Sequence, residues 1–213
     1  MTSPTENPAV RAVRPRRRWR RLLLGVALSM TAWGALGATS TVVPPRAPHD
    51  PVTVAIVREG VHVGLLLPSD DGFVEYGVGD WSWDALGNDH WYDLPATVLW
   101  PTPATLSRRL HRCCDLVALR AAEPGSTFDT VSVARVDAER LRQRLEAAFT
   151  AGRAHEVHGA PAGTAYVPCG DGCWPSYSVL ADCVDACASW LEELGCTVSW
   201  APVRADLLVV AGV

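Results

Sequence analysis

The chain has 213 residues and a hydrophobic content of 48%, which suits one globular domain with an added apolar segment. It contains no lysine, and seven of its 19 arginines precede residue 22, which leaves 12 arginines against 22 acidic residues in the rest of the chain. This acidic body lacks the basic face that phosphate contacts require, so the composition argues against a nucleic-acid partner.

A basic N-terminal tail, residues 1–21, precedes an apolar run. The run holds 17 residues from Leu22, and further residues up to Val43 extend it. Spanning helices need roughly 17–25 residues, whereas the apolar part of a secretory signal has roughly 7–15. We predict a membrane anchor at 22–43, with a cleaved signal as the alternative. In both cases the positive-inside rule keeps the arginines in the cytoplasm, which predicts a single-pass cell-membrane protein, or a secreted one, with an extracytoplasmic body.

A proline-rich linker at 44–51 is predicted to separate this segment from the body at 52–213, because each proline fixes φ and favours extended chain. The body begins with two β-branched, apolar runs, 52–58 and 61–67. Glu59 and Gly60 lie between them and predict a hairpin. A third strand is predicted to begin shortly after the turn that follows.

The rest of the body alternates between strand and helix patterns. In chain order we predict a short helix at 103–110, strands at 115–120 and 130–136, a helix at 137–150, a loop at 152–177 and a helix at 183–194. The last helix is expected to end at Gly195, the residue type that tolerates a left-handed conformation. The order of elements predicts an α+β fold, with an antiparallel sheet packed against helices.

Seven cysteines suit an oxidising compartment, and their odd number leaves at least one thiol unpaired in a monomer. They are Cys113, Cys114, Cys169, Cys173, Cys183, Cys187 and Cys196. The spacing of Cys169 and Cys173 is compatible with a small disulfide loop. A zinc site drawn from Cys169, Cys173, Cys183 and Cys187 together with His155 and His158 is the competing hypothesis.

Cys183 opens the last predicted helix. Asp182 is placed to cap that helix, and Asp185 three residues later completes a capping-box pattern. The unpaired amides and the positive dipole of a helix N-terminus favour a thiolate, and the same amides can stabilise an oxyanion. The neighbouring Asp182 carboxylate opposes thiolate formation. With His62 on a predicted strand as a general base, the chain has the minimum equipment of a cysteine nucleophile.

Several short motifs together resemble a bacterial family. They are His62-Val63-Gly64-Leu65-Leu66-Leu67-Pro68, Phe73-Val74-Glu75-Tyr76-Gly77-Val78-Gly79-Asp80, Trp100-Pro101, Tyr177-Ser178-Val179-Leu180-Ala181-Asp182-Cys183 and the helix end from Leu191 to Gly195. Their order and spacing, over residues 53–200, are similar to those of domain of unknown function 2459, a conserved hypothetical family of urease gene regions. That family in turn resembles the circularly permuted branch of the NlpC-type, papain-like thiol hydrolases.

The resemblance implies Cys183 as nucleophile, His62 as base and Glu75 as the group that orients the imidazole, with Asp80 as a second candidate for that role. It implies a papain-like fold and a hydrolase or acyltransferase that cleaves an amide, ester or thioester through an acyl-cysteine, without a cofactor. The location suggests a cell-wall peptide or a lipid acyl group as substrate. Val184 stands where the family usually has asparagine, so a non-catalytic, disulfide-braced envelope binding or scaffold domain is the alternative.

Overall fold

The computed structural model describes residues 37–88, 100–113, 115–159, 161–170, 173–201 and 203–210, and these form an α+β fold. The strands are β1 (Gly37–Val43), β2 (Pro51–Glu59), β3 (His62–Ser69), β4 (Gly72–Asp80), β5 (Ala104–His111), β6 (Ser126–Ala134), β7 (Val157–Gly159), β8 (Thr164–Pro168), β9 (Thr197–Val198) and β10 (Val203–Val209). The α-helices are α1 (Leu116–Ala122), α2 (Arg135–Gly152) and α3 (Cys183–Glu193), with a π-helical turn at Trp81–Ala85 and a 3₁₀ turn at Arg153–His155.

Within the described residues, seven strands form an antiparallel sheet in the order β6-β2-β3-β4-β5-β8-β7. The predicted hairpin between β2 and β3 is confirmed, and the pair Glu59–His62 closes it. Its turn contains Gly60 at a φ of 60°, a left-handed conformation that glycine adopts without a steric penalty. The hairpin thereby fixes His62 at the first position of β3.

The main core lies between one face of this sheet and the helices α2 and α3. On β3, Val63, Leu65 and Leu67 face this core. Leu66 projects from the opposite face, into a smaller cluster that includes Leu119 of α1. Side chains alternate across an extended strand, so the central part of β3 is buried on both faces.

A second, three-stranded sheet has the order β10-β1-β9, with β1 parallel to β10 and antiparallel to β9. Its strand β1, Gly37–Val43, coincides with the end of the predicted anchor. Val42 is completely buried in the main core. The described fold therefore includes residues 37–43, because β-branched residues that were assigned to the anchor pair with the C-terminal strand.

The two sheets are joined by the guanidinium of Arg58 on β2. Its Nε lies 2.6 Å from the Asp206 carboxylate of β10, and its Nη1 lies 2.7 Å from the Asp129 carboxylate of β6. An arginine that binds two carboxylates in this way fixes orientation as well as charge. The sheet that contains β1 is thus held to the edge of the larger sheet.

Three local predictions from the sequence were wrong. The predicted helix at 103–110 is strand β5, which pairs with β4 on one side and β8 on the other. The predicted strand at 115–120 is α1, whose first turn is capped by Asp115 through a 2.7 Å bond from the Ala118 amide. The predicted loop at 152–177 contains β7 and β8. In β5 and β8 the pairing with neighbouring strands overrides weak local preference.

No α-helix in the described ranges is both long and apolar enough to cross a membrane. The predicted cytoplasmic tail at 1–21, and the predicted anchor up to residue 36, lie outside those ranges.

The burial of β1 leads to a stability prediction. Val42→Ala removes two buried methyl groups, so we expect the free energy of unfolding to fall by about 2 kcal/mol. Urea denaturation of the full-length chain measures it. Val117→Ala, at a position of α1 that is 75% exposed, is the matched control and should change stability by less than about 0.5 kcal/mol. Equal effects of the two substitutions would contradict the docking of β1 in the core.

Candidate functional site

The N-terminus of α3 carries the predicted capping box. The Asp182 carboxylate accepts hydrogen bonds from the Val184 amide at 2.8 Å and from the Asp185 amide at 3.1 Å, and the Asp185 carboxylate accepts one from the Asp182 amide at 3.4 Å. This places Cys183 at the first helical position, as predicted. The cap also occupies the amides of residues 184 and 185, so these two amides are not available to an oxyanion.

The thiol of Cys183 is buried against the start of β3. Cys183 is 4% exposed, and its Sγ donates to the Val61 carbonyl at 3.9 Å. One turn later, the Cys187 Sγ donates to the Gly64 carbonyl at 3.8 Å. The Tyr177 hydroxyl also hydrogen-bonds to Cys183. The thiol therefore lies between the helix, the strand backbone and one phenolic hydroxyl.

Burial raises the pKa of Cys183 to about 11, and the charge of Asp182 adds to the rise. Hydrogen bonds from the Val63 amide and the Tyr177 hydroxyl act in the opposite direction without reversing it. The thiol is therefore protonated at neutral pH. Burial and the adjacent Asp182 carboxylate therefore raise the pKa of Cys183 by more than the helix dipole lowers it.

His62 pairs with a carboxylate that was not among the predicted site residues. Its Nε2 lies 3.2 Å from Oδ1 of Asp84, and the imidazole side chain is 48% exposed. Asp84 belongs to the π-helical turn after β4, and its Oδ2 accepts a 2.7 Å hydrogen bond from the Asp80 amide. Burial raises the pKa of Asp84, and the nearby His62 lowers it. The carboxylate is held by the backbone on one side and faces the imidazole on the other.

Asp80 organises this region without contacting His62. It is 1% exposed, accepts a 2.7 Å hydrogen bond from the Trp83 amide and accepts another from the Thr102 hydroxyl. The Thr102 backbone in turn makes two 2.9 Å hydrogen bonds with the Tyr177 backbone. Asp80 is thus a positioning residue for both the Asp84 turn and the Tyr177 segment, and is not the group that orients the imidazole.

Glu75 does not orient His62 either. Its Oε2 lies 2.8 Å from Nε2 of His111, whose side chain is 5% exposed. The strand register pairs Glu75 with Leu66, four residues along β3 from His62. At about 3.3 Å per residue, this separates the two positions by about 13 Å. The carboxylate that pairs with His62 is that of Asp84 and not that of Glu75.

The Cys183 thiol and the His62 imidazole lie on opposite faces of β3. Val63 packs in the same core as Cys183, so the side chain of His62, one residue earlier, projects from the other face. The pairing of β3 with β4 ends at Gly64–Gly77, so the start of β3 lies beyond it. No hydrogen bond or ion pair joins Cys183 to His62 in the described part of the chain. The two groups are linked through the backbone at the end of the sheet.

A groove of about 600 Å³ lies on the His62 face of the sheet. Its floor contains three glycines, whose missing side chains leave space for polar groups. A Cβ would come within 3.1 Å of the Glu75 carboxylate at Gly64, within 2.8 Å of the Ser107 hydroxyl at Gly77, and into the Asp84 carboxylate at Gly79. The glycines therefore let polar side chains lie directly over the strands.

The described cysteines do not assemble into the metal site that was considered. Cys169 and Cys173 form a disulfide, as their spacing suggested. Burial raises the pKa of both Cys187 and Cys196, to about 11 in Cys196. Among the residues that the structure describes, no group of three or more histidine, cysteine, aspartate or glutamate side chains is arranged to hold a metal ion.

Two residues of this region were missed from the sequence. Asp84 carried a weak signal, a second aspartate four residues after Asp80 in a turn that follows a strand. Tyr177 begins one of the motifs that carry the family resemblance, but the sequence alone assigned it no role. The pairing of His62 with Asp84 depends on how a π-helical turn folds back over Gly79, which no local pattern specifies.

Comparison of the chain with protein-family models, with curated proteins and with solved structures finds no match.

The pKa of Asp182, raised by burial to about 6, leads to a pH-dependent prediction. The pKa of an aspartate in the unfolded chain is about 3.9. Between the two pKa values the folded protein therefore binds more protons than the unfolded chain, so the stability contributed by Asp182 is lost as the pH rises towards 6. Asp182→Asn keeps a good capping side chain and removes the titration. We expect the variant to gain stability relative to the wild type between pH 4 and pH 7, measured by urea denaturation. Asp70→Asn, in an exposed turn, is the control. If the difference in stability between Asp182→Asn and the wild type is the same at pH 4 and pH 7, the assignment is contradicted.

The buried thiol predicts a second pH dependence. Because the pKa of Cys183 is about 11, the rate of its alkylation by iodoacetamide should rise about tenfold per pH unit between pH 7 and pH 9. Peptide mapping by mass spectrometry measures the rate at each cysteine, with the other buried thiol of similar pKa, Cys196, as the internal comparison. A rate for Cys183 that reaches a plateau near pH 8 would show a stabilised thiolate and contradict this prediction.

Proposed function

We propose that the chain is a membrane-anchored, extracytoplasmic hydrolase or acyltransferase in which Cys183 is the nucleophile, His62 the general base and Asp84 the group that orients the imidazole. One observation supports this proposal above the others. His62 and Asp84 form an imidazole–carboxylate pair at the groove, while the carbonyl of the residue before His62 contacts the Cys183 thiol. Covalent catalysis requires a nucleophile and a base that a third group orients. Here the oriented base and the thiol are one residue apart along the backbone, and they act together once the His62 side chain turns around the start of β3.

The neutral thiol defines the order of proton transfers. His62 takes the thiol proton as Sγ attacks the carbonyl carbon of an amide, ester or thioester, and the half-exposed imidazole turns towards the end of the sheet to do so. The leaving group takes that proton when its bond to the carbonyl carbon breaks. Water, deprotonated by His62, then attacks the acyl-cysteine, and the proton returns to sulfur.

The developing oxyanion needs a donor other than the capped amides. The Tyr177 hydroxyl is adjacent to the thiol, and burial raises the pKa of Tyr177, so the hydroxyl keeps its proton. We assign it the role of oxyanion donor, with the Asp80–Thr102 contact holding its segment in place. This arrangement needs no metal and no organic cofactor.

The wider assignment follows from the motifs and the predicted anchor. We propose a papain-like domain of the circularly permuted NlpC type, related to the domain of unknown function 2459 family. A cell-wall peptide or a lipid acyl group is the proposed substrate. The antiparallel sheet packed against a helix that begins with the cysteine is compatible with this fold class.

The burial of the thiol favours a second candidate function. Cys183 is 4% exposed and hydrogen-bonded within the core, which is typical of a structural cysteine. In this alternative the chain is a non-catalytic envelope binding or scaffold domain, braced by the Cys169–Cys173 disulfide, and the groove alone carries the function.

Trapping of the acyl-enzyme separates the two candidates. The full-length chain is incubated with p-nitrophenyl esters of acetate and of longer fatty acids, and peptide mapping by mass spectrometry locates any acyl group. We expect a hydroxylamine-sensitive adduct on Cys183 whose rate of formation falls at least about 10²-fold in His62→Ala, because a general base typically contributes that much. Asp84→Asn should also slow the reaction.

Cys196→Ala is the matched control, since Cys196 is another buried free thiol and lies beyond the C-terminal end of α3. Its adduct on Cys183 should form at the wild-type rate. Absence of an adduct with every ester, or an equal rate in His62→Ala, would refute the hydrolase and leave the binding domain.

A further inference from the structure

The groove on the His62 face has an excess of carboxylates. Glu59, Glu75 and Asp84 line it together with one guanidinium, that of Arg109. Nη2 of Arg109 lies 2.5 Å from Glu123, which does not line the groove, and its Nη1 reaches Glu59 only at 3.8 Å. Glu75 and Asp84 face the imidazoles of His111 and His62, so the three carboxylates outnumber the one guanidinium of the groove. An additional cation is therefore favoured in this groove over an additional anion.

The carboxylates converge on one phenol of the groove wall. Burial raises the pKa of Tyr166 to about 12, and the negative charges of Asp84, Glu59 and Glu75 add to the rise in that order. Arg109 only partly opposes them. The three carboxylates thus act on the same space, although they come from different elements of the fold.

A separate observation points to a ligand. Thr164, the first residue of β8, lines the groove and is 4% exposed. It lies on the same side of the strand as Tyr166, two residues later, and opposite Arg109 of β5 in the register. Its hydroxyl oxygen has no hydrogen-bond partner among the described residues. A buried hydroxyl without a partner is costly, so such a group at the wall of a polar groove indicates an absent partner.

We propose that the groove binds the ammonium group of an amine-bearing substrate, with the Glu59 and Glu75 carboxylates as counter-charges and the Thr164 hydroxyl as a hydrogen-bond acceptor. An ammonium carries three N–H donors and no acceptor, which matches a wall of carboxylates and one unused hydroxyl oxygen. The inference rests on the proposed hydrolase function and names its substrate class, a peptide with a free primary amine.

Binding of defined probes tests the inference without any turnover. The full-length Cys183→Ala chain is titrated with Nα-acetyl-lysine methylamide, which carries an ammonium, and with its Nε-acetylated counterpart, which does not. N-acetyl-glutamate methylamide supplies the opposite charge. Ligand-observed NMR should give a Kd at least tenfold lower for the ammonium probe than for the two others, and this preference should shrink as salt is added.

Variants locate the site. Glu59→Gln should weaken the ammonium probe about threefold or more and leave the neutral probe unchanged. Thr164→Val should also weaken the ammonium probe, yet its melting temperature should equal or exceed that of the wild type, because the substitution removes an unpartnered hydroxyl. Glu192→Gln, which removes an exposed charge on α3 outside the groove, should bind as the wild type does.

Equal affinity for the three probes, tighter binding of the glutamate probe, or a Thr164→Val chain that binds the ammonium probe as the wild type does would overturn the inference. These outcomes are independent of the acyl-enzyme experiment, since the binding protein lacks the nucleophile. An ammonium preference without an acyl adduct would support the groove assignment and refute only the hydrolase.

Discussion

The site depends on the contact between the first two turns of α3 and the backbone at the start of β3. Two thiols make this contact, Cys183 with the Val61 carbonyl and Cys187 with the Gly64 carbonyl. Small side chains at both positions let the helix approach the strand closely, and a larger residue would push it away. The same contact buries the Cys183 thiol and brings it next to the residue that precedes His62, so the helix packing sets both the chemistry of the sulfur and its distance from the base.

The relative sizes of the burial penalty and the helix dipole decide whether the Cys183 sulfur is protonated. A rise in the pKa of Cys183 from 9.0 to about 11 disfavours the thiolate by about 3 kcal/mol. A helix dipole typically contributes about 0.3–1 kcal/mol, which is smaller than this penalty. A nucleophile in this position therefore depends on a base that removes its proton during the reaction. The imidazole–carboxylate pair of His62 and Asp84 is suited to that task, whereas a stable thiolate–imidazolium pair would need a more exposed sulfur.

The capping box of α3 and the hairpin before His62 were predictable because each depends on residues within a few positions of one another. The identity of β5 was not, because residues 103–110 become a strand only through pairing with β4 and β8. The prediction of the partner of His62 failed for the same reason. Glu75 lies on the neighbouring strand as expected, but the register that places it opposite Leu66 is a property of the whole sheet. Asp84 reaches the imidazole only because residue 79 is a glycine.

Strand β1, which coincides with the end of the predicted anchor, is connected to the candidate nucleophile through two contacts. Ala38 of β1 is in register with Arg204 of β10. The Arg204 guanidinium lies 2.5 Å from the carboxylate of Asp185, the third helical residue of α3 and a member of its capping box. This ion pair is largely buried, so loss of either partner would leave an uncompensated charge. The position of the helix N-terminus therefore depends on the small sheet as well as on β3, and displacement of β1 would disturb the cap beside Cys183 before it disturbed the groove.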